Sequence, residues 1–394
     1  MNSDNLILIS PDEYALRLGR LQQAVAPLAD AVLLADNADL YWLTGRVFDG
    51  FAFVPASGEA VFGLRRCAHL RGAGVRTMHK IEEFAASLPA VRRLALELDI
   101  LSYNVAVRYT RAFGLGEADI VSAGPALRAV RAVKTPAQLR MMRDSGLHQE
   151  TVYRRIPSLY TEGMTDYELQ VEIERASRLE GCLGQFRTAG SDMELFMGNV
   201  LTGANADAPS PYDFAMGGAG MDPSLPVGAD GSVIRPGTTV MVDVNGNYTG
   251  YMTDMTRCFS LGDIPSEALR AHDVSRAICR RLAEMAVPGA AAADLYAEAL
   301  RMASEAGLEA YFMGHRQHAG FVGHGVGIEI NEAPVLAPRS RDVLRAGMCI
   351  AVEPKFVLPG VGAVGIENTY IVRDGGLPAE CITNAPEEII SLQQ

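Results

Sequence analysis

Asp243, Asp254, His324, Glu353 and Glu367 are the residues of this chain whose types and spacing point most directly to chemistry. Four carboxylates and one imidazole, all in the C-terminal half, make the donor set of a two-metal hydrolytic site. In the run from Thr238 to Gly262, two strand-like stretches flank the turn-forming segment from Asn245-Gly246-Asn247 to Gly250. A hairpin centred between Tyr248 and Thr249 sets Asp243 opposite Asp254, and directly opposed residues have Cβ atoms roughly 4.5–5.5 Å apart. Two carboxylates that close resist ionising together, so a cation between them resolves the conflict. The run from Met348 to Val372 repeats the logic, because a turn around Gly360 sets Glu353 opposite Glu367. An isolated acid in a strand is ordinarily solvated or ion-paired. Two hairpins that each present a carboxylate pair are harder to explain that way.

His324 lies in Gly323-His324-Gly325-Val326-Gly327, where the flanking glycines permit close backbone approach. Carboxylates with an imidazole suit Mn²⁺, Co²⁺, Fe²⁺ or Zn²⁺ better than a thiolate-seeking metal. Two such ions about 3.5–4 Å apart can share a hydroxide while polarising a carbonyl.

These stretches resemble the creatinase, prolidase, aminopeptidase P and methionine aminopeptidase superfamily, the M24 metallopeptidases of pita-bread fold. The resemblance rests on Asp243, on Tyr251-Met252-Thr253-Asp254-Met255-Thr256-Arg257, on Gly323 to Gly327, on Val352-Glu353-Pro354 and on Gly365-Ile366-Glu367-Asn368-Thr369. Asn37-Ala38-Asp39-Leu40-Tyr41-Trp42-Leu43-Thr44-Gly45 and the run from Arg128 to Pro136 extend it over the N-terminal half. It implies an α/β creatinase-like domain over residues 1–132, followed by an α+β pita-bread catalytic domain over residues 133–394. It also implies two divalent ions per chain, Mn²⁺ first among them. Asp243, Asp254 and Glu367 would hold one ion; Asp254, His324, Glu353 and Glu367 would hold the other. Glu353 would serve as general base, and homodimers would be expected.

Departures from that pattern bear on the substrate. Val227, Gly320 and Asn331 stand where such peptidases carry auxiliary histidines, and Gly365 where they often carry arginine. Asn331 retains N–H donors for an oxyanion but cannot shuttle a proton. His318 and His315, close to His324 in sequence, are candidates to substitute in space, although a lone histidine is more often a surface or satisfied core residue. Lys355, directly after Glu353-Pro354, is either a cation for a substrate carboxylate or a solvated strand lysine. The catalytic candidates are therefore Glu353, Asn331, His318 and Lys355.

Several elements must position these groups. Helical spacing runs from Asp12 to Val25, strand patterns cover Ala31–Leu34 and Leu94–Leu98, and a hairpin spans Phe51 to Phe62. Thr135 with Gln138, and Thr165 with Glu168, are capping boxes that start long helices. Further helices are expected over Glu267–Val287 and Ala291–Ala306. The Gly/Pro-rich stretch from Thr202 to Pro236, just before Asp243, is read as a pocket wall.

With 48% apolar and 21% charged residues the chain is globular in composition. A net charge of −12 argues against nucleic acid. No apolar run approaches the ~20 residues that cross a bilayer, and no basic segment precedes the first apolar run. The six cysteines are scattered without a CxxC pair, as in a reduced cytoplasmic protein. Three functions follow: cleavage of Xaa-Pro peptides, hydrolysis or lysis of a small polar metabolite as in the creatinase branch, and non-catalytic binding. The first is preferred. Retention of all five ligands counts against the third.

Overall fold

The computed structural model describes residues 4–190, 196–212 and 214–393. The chain divides into two compact units, Met1–Arg131 and Ala132–Gln394.

The N-terminal unit is built on a six-stranded mixed sheet. Its spatial order is Val75–Thr77, Val61–Leu64, Gly50–Pro55, Ala31–Leu34, Leu94–Leu96 and Ile120–Ser122. The antiparallel ladders lie at Gly50–Pro55, and the parallel ones at either side. Ala31–Leu34 is buried along its whole length, as a run of consecutive apolar residues requires. Pro11–Val25 begins at Ser10, whose hydroxyl accepts from Glu13 N–H, with Pro11 in the first turn where its missing N–H costs nothing.

The C-terminal unit holds two larger sheets. One runs Ile390–Ser391, Thr256–Ser260, Thr239–Val244, Gly198–Thr202; the other runs Glu332–Val335, Gly323–Gly325, Cys349–Val352, Asn368–Ile371, Glu380–Cys381. A two-stranded ladder, Lys355–Leu358 against Gly362–Gly365, extends the second hairpin. Four long helices, Pro136–Tyr153, Asp166–Glu180, Ser266–Met285 and Ala292–Glu305, pack around them. Both capping boxes are formed: Thr135 with Gln138 and Thr165 with Glu168 exchange side-chain and backbone bonds in both directions. Two apolar clusters fill the unit. Met241, Cys258, Ile278, Leu282, Ile350, Phe356 and Val364 belong to the larger, and Val152, Ile173, Val240, Val242 and Phe259 to the smaller.

Candidate metal centre

The first hairpin forms, but two residues out of the expected register. Asp243 lies opposite Thr256, not Asp254, and the ladder continues through Gly246–Thr253 and Asn247–Met252. Glycine placement explains the shift. Gly250 adopts φ +86°, a conformation in which a Cβ would be strained, and its N–H donates to Asn247 Oδ1 at 3.1 Å. Gly250 therefore fixes the turn rather than the Asn-Gly pair. Because side chains alternate with period two, a shift of two leaves both aspartates on the same face. In the second hairpin, Lys355 pairs with Gly365 and Val352 with Asn368, the register that sets Glu353 across from Glu367.

Side chains sew the hairpins together. Thr256 and Glu367 form a backbone bridge, and the Thr256 hydroxyl donates to Glu367 Oε2 at 2.8 Å. Thr369 Oγ1 accepts from Asp254 N–H at 2.8 Å and donates to Asp254 O at 2.9 Å. The helix Pro136–Tyr153 grips the same turn. Gln149 donates to Val244 O at 2.6 Å and accepts from Thr253 Oγ1 at 2.8 Å; the Tyr153 hydroxyl accepts from Val244 N–H at 2.8 Å and touches the Met255 carbonyl. Val244 and Met255 are the chain neighbours of Asp243 and Asp254. Sequence spacing offers no sign of these clamps, because each partner lies on a distant element.

His324 sits on Gly323–Gly325, where the backbone is hemmed in on both sides. A Cβ at Gly323 would lie 2.3 Å from Ala351 O, and one at Gly325 would lie 2.2 Å from Ala333 O. Only glycine fits either position. His324 Nδ1 lies 3.1 Å from Gly325 O, which as an acceptor requires Nδ1–H. Nε2 then faces Glu353 Oε1 at 3.4 Å and Asp254 Oδ2 at 3.9 Å.

Two donor groups result. Asp254, His324 and Glu367 form one; Asp243, Glu353 and Glu367 form the other. Lys355 stands in the second. Its ammonium Nζ lies 2.7 Å from Asp243 Oδ2, 2.8 Å from Glu353 Oε2 and 3.4 Å from Glu367 Oε2, on a side chain with 0% exposure. This is neither a solvated strand lysine nor a group reaching toward substrate.

The electrostatics follow from this crowding. Burial, then the Asp243 charge, raises Asp254 to about 7. Burial and the charges of Asp254 and Glu353 push Glu367 well above the carboxylate range. Burial also works to raise Glu353, but Lys355 and His324 outweigh it and hold the group at about 2. Burial would lower His324, yet Glu353 and Asp254 raise it to about 9. Four carboxylates thus share one ammonium and one imidazole. Glu367 Oε1 is buried without a hydrogen-bond partner, a costly state for a carboxylate oxygen. An oxygen-seeking divalent ion held by Asp254, His324 Nε2 and Glu367 fits that excess of negative charge; the second donor group already holds a cation.

These groups floor a cavity of ≈ 260 Å³ walled by Phe186, Phe214, Met216, Phe321 and Ile330. Phe214 and Met216 come from the Gly/Pro-rich stretch. Asn331 lines the cavity, with Oδ1 accepting from Ala189 N–H at 2.7 Å and Nδ2 3.5 Å from Ala189 O. His318 does not reach it. Its Nδ1 lies 2.9 Å from Phe312 O, and together with His315 it lines a separate small cleft. Val227 is buried, and at Gly365 a Cβ would lie 2.6 Å from Pro354 O. Asn199 and Asn245 also line the cavity, and Asn245 Nδ2 is a buried donor without a partner. Neither amide belongs to the donor pattern, so spacing alone does not single them out.

The profile of metallopeptidase family M24 matches residues 140–374, and that of the creatinase/prolidase N-terminal domain matches residues 17–133. The chain is 30% identical over 271 residues to the probable dipeptidase PepE of Mycobacterium tuberculosis, covering 68% of this chain and 63% of that relative. It is 24% identical over 369 residues to the Xaa-Pro dipeptidase of Pyrococcus horikoshii, covering 92% and 94%. Among solved structures, the prolidase from Pyrococcus horikoshii OT3 superposes with a TM-score of 0.78 at 20% identity, covering 95% of this chain and 100% of the other. The Xaa-Pro dipeptidase from Bacillus anthracis gives 0.80 at 24% identity, covering 96% and 99%. With both profiles matched in order and the same fold throughout, the chain belongs to metallopeptidase family M24, its catalytic domain preceded by a creatinase/prolidase N-terminal domain.

Proposed function

We propose that this protein is a divalent-metal-dependent hydrolase of small peptides, of the Xaa-Pro dipeptidase or aminopeptidase kind, with Mn²⁺ as the preferred ion. The observation that carries this reading is the convergence of Asp243, Asp254, His324, Glu353 and Glu367 on the floor of one cavity with apolar walls. Asp254, His324 Nε2 and Glu367 would hold an ion, with Glu353 beside His324. The family resemblance implies two ions, but the second donor group, Asp243, Glu353 and Glu367, surrounds the Lys355 ammonium. A bound divalent ion supplies Lewis-acid polarisation of the scissile carbonyl and lowers the pKa of a nearby water. Glu353, ionised at neutral pH, takes the proton of the attacking water and passes it toward the leaving nitrogen. Asn245 Nδ2 donates toward the substrate. Phe186, Phe214 and Phe321 give the prolyl ring an apolar bed and keep bulk water out. Asn331 positions the segment around Ala189.

One observation favours a second reading, hydrolysis or lysis of a small polar metabolite. Among the described residues, no lysine or arginine lines the cavity, so the free carboxylate of a dipeptide would find no guanidinium or ammonium there. A panel of Xaa-Pro dipeptides and tripeptides incubated with Mn²⁺-loaded protein separates the two, with Glu367→Ala as the blank. Turnover absent from the blank supports the peptidase. Metal bound without turnover of any peptide moves the assignment to a metabolite. The same reading places the enzyme in the cytoplasm as a homodimer. All six cysteines are free, as a reducing compartment keeps them, and no described helix is long and apolar enough to cross a membrane.

A further inference from the structure

Glu353 and Glu367 each divide their two oxygens between different neighbours. Glu353 gives Oε2 to Lys355 at 2.8 Å and turns Oε1 to His324 Nε2 at 3.4 Å. Glu367 gives Oε2 to the Thr256 hydroxyl and, at 3.4 Å, to Lys355, while its buried Oε1 has no partner. One side of this pair is therefore complete, and the other is not. The complete side is the group Asp243, Glu353 and Glu367, each of which turns one oxygen to Lys355 Nζ. Carboxylate oxygens approach an ammonium at about 2.7–2.9 Å and a transition-metal ion at roughly 2.0–2.2 Å, so both cannot sit among the same oxygens. A dication there would also face an ammonium of like sign in a buried site.

Nor is Lys355 free to withdraw. Its side chain is fully buried, its strand pairs with Gly362–Gly365, and its carbonyl accepts from Met313 N–H at 2.8 Å.

We infer that the Lys355 ammonium stands in place of one cation of a metal pair, so that the centre takes a single divalent ion per chain, held by Asp254, His324 and Glu367. The inference rests on the metallohydrolase reading above and narrows it. Lysine is suited to the part, being a compact point charge on a long apolar stem. Asp243, which belongs to the second donor group alone, then serves to anchor the lysine. Glu367 remains shared between the fixed cation and the exchangeable one, and Glu353 bridges Lys355 and His324.

The test is metal stoichiometry, read without reference to turnover. Full-length protein is stripped with a chelator, dialysed and titrated with Mn²⁺, following bound metal by elemental analysis and the Mn²⁺ electron paramagnetic resonance spectrum. The wild type is expected to saturate at one equivalent with the spectrum of isolated ions. Lys355→Ala, with its fold checked by circular dichroism, is expected to take a second equivalent and to show exchange coupling between paired ions. Two equivalents in the wild type would overturn the inference whatever the variant does. So would a folded Lys355→Ala that still saturates at one. No bound metal in the wild type would instead sink the metallohydrolase reading itself. If Lys355→Ala does not fold, the wild-type stoichiometry and spectrum decide alone.

Discussion

Thr256 and Glu367 exchange both backbone hydrogen bonds, at 3.4 and 3.2 Å, and the Thr256 hydroxyl adds a third at 2.8 Å to Glu367 Oε2. The bridge joins the aspartate hairpin to the glutamate hairpin at the centre of the donor set. It fixes which oxygen of Glu367 is spent on protein and leaves Oε1 buried without a hydrogen-bond partner.

Thr256→Val keeps the branched shape and the backbone bridge but deletes the hydroxyl. Hydrogen bonds that orient a metal ligand typically contribute 10–100-fold in affinity. Mn²⁺ affinity, measured by titration calorimetry, is expected to fall by about tenfold or more, and Thr256→Ser to restore it. An unchanged affinity in Thr256→Val would show that the bridge alone orients Glu367.

Glu332 plays a structural part near the same site. Its Oε2 takes the buried Lys134 ammonium at 2.8 Å, and its Oε1 accepts from Ile328 N–H at 3.1 Å and Glu329 N–H at 3.3 Å. The side chain thereby holds the turn that follows His324. Glu332→Ala strands a buried ammonium, a change that costs about 3–5 kcal/mol. Urea unfolding is expected to show a loss of that size, against less than about 1 kcal/mol for an exposed control such as Glu305→Ala.

The two carboxylate hairpins are legible in the sequence because strand runs and turn residues are local signals. The helix starts at Thr135 and Thr165 are legible for the same reason. The two-residue shift of the first hairpin is not, since the segment from Asn245 to Gly250 offers more than one turn centre and only three-dimensional pairing chooses between them. Lys355 shows the limit most clearly. Its neighbours Glu353 and Pro354 give its place in the hairpin, but its ammonium meets Asp243, 112 residues away. Tyr153 is hidden likewise, because its role arises from contacts between distant elements. His318 is close to His324 along the chain, yet the fold turns it into another cleft.

His272 gives the protein a pH-dependent stability separate from the metal site. It is buried on Ser266–Met285, with Nε2 2.6 Å from Glu387 O, an acceptor that requires Nε2–H. Burial holds its pKa below the ordinary histidine value. The unfolded chain therefore binds a proton near pH 6.5, while the folded protein resists it. Stability from this residue is intact above that pH and is lost as pH falls below it, at up to about 1.4 kcal/mol per pH unit. Between pH 7.5 and 5.5, wild type is expected to lose about 1 kcal/mol more than His272→Gln in urea unfolding. Parallel losses in the two proteins would place the charging elsewhere.

Metal removal should be visible in stability as well as in turnover. Without an ion, Asp254 and Glu367 are forced toward protonation by burial and by neighbouring carboxylates, so the folded state carries electrostatic strain that an ion relieves. An ion that binds only the folded chain stabilises it by about 2.7 kcal/mol at a hundredfold excess over Kd. Chelation is therefore expected to lower the melting temperature by roughly 5–11 °C, taking about 2–4 °C per 1 kcal/mol for chains of 150–250 residues as a guide, and added Mn²⁺ to restore it. Glu367→Ala should melt at the same temperature with and without Mn²⁺, because the ligand shared by both donor groups is gone. A variant that still responds to Mn²⁺ would place the bound ion away from Glu367.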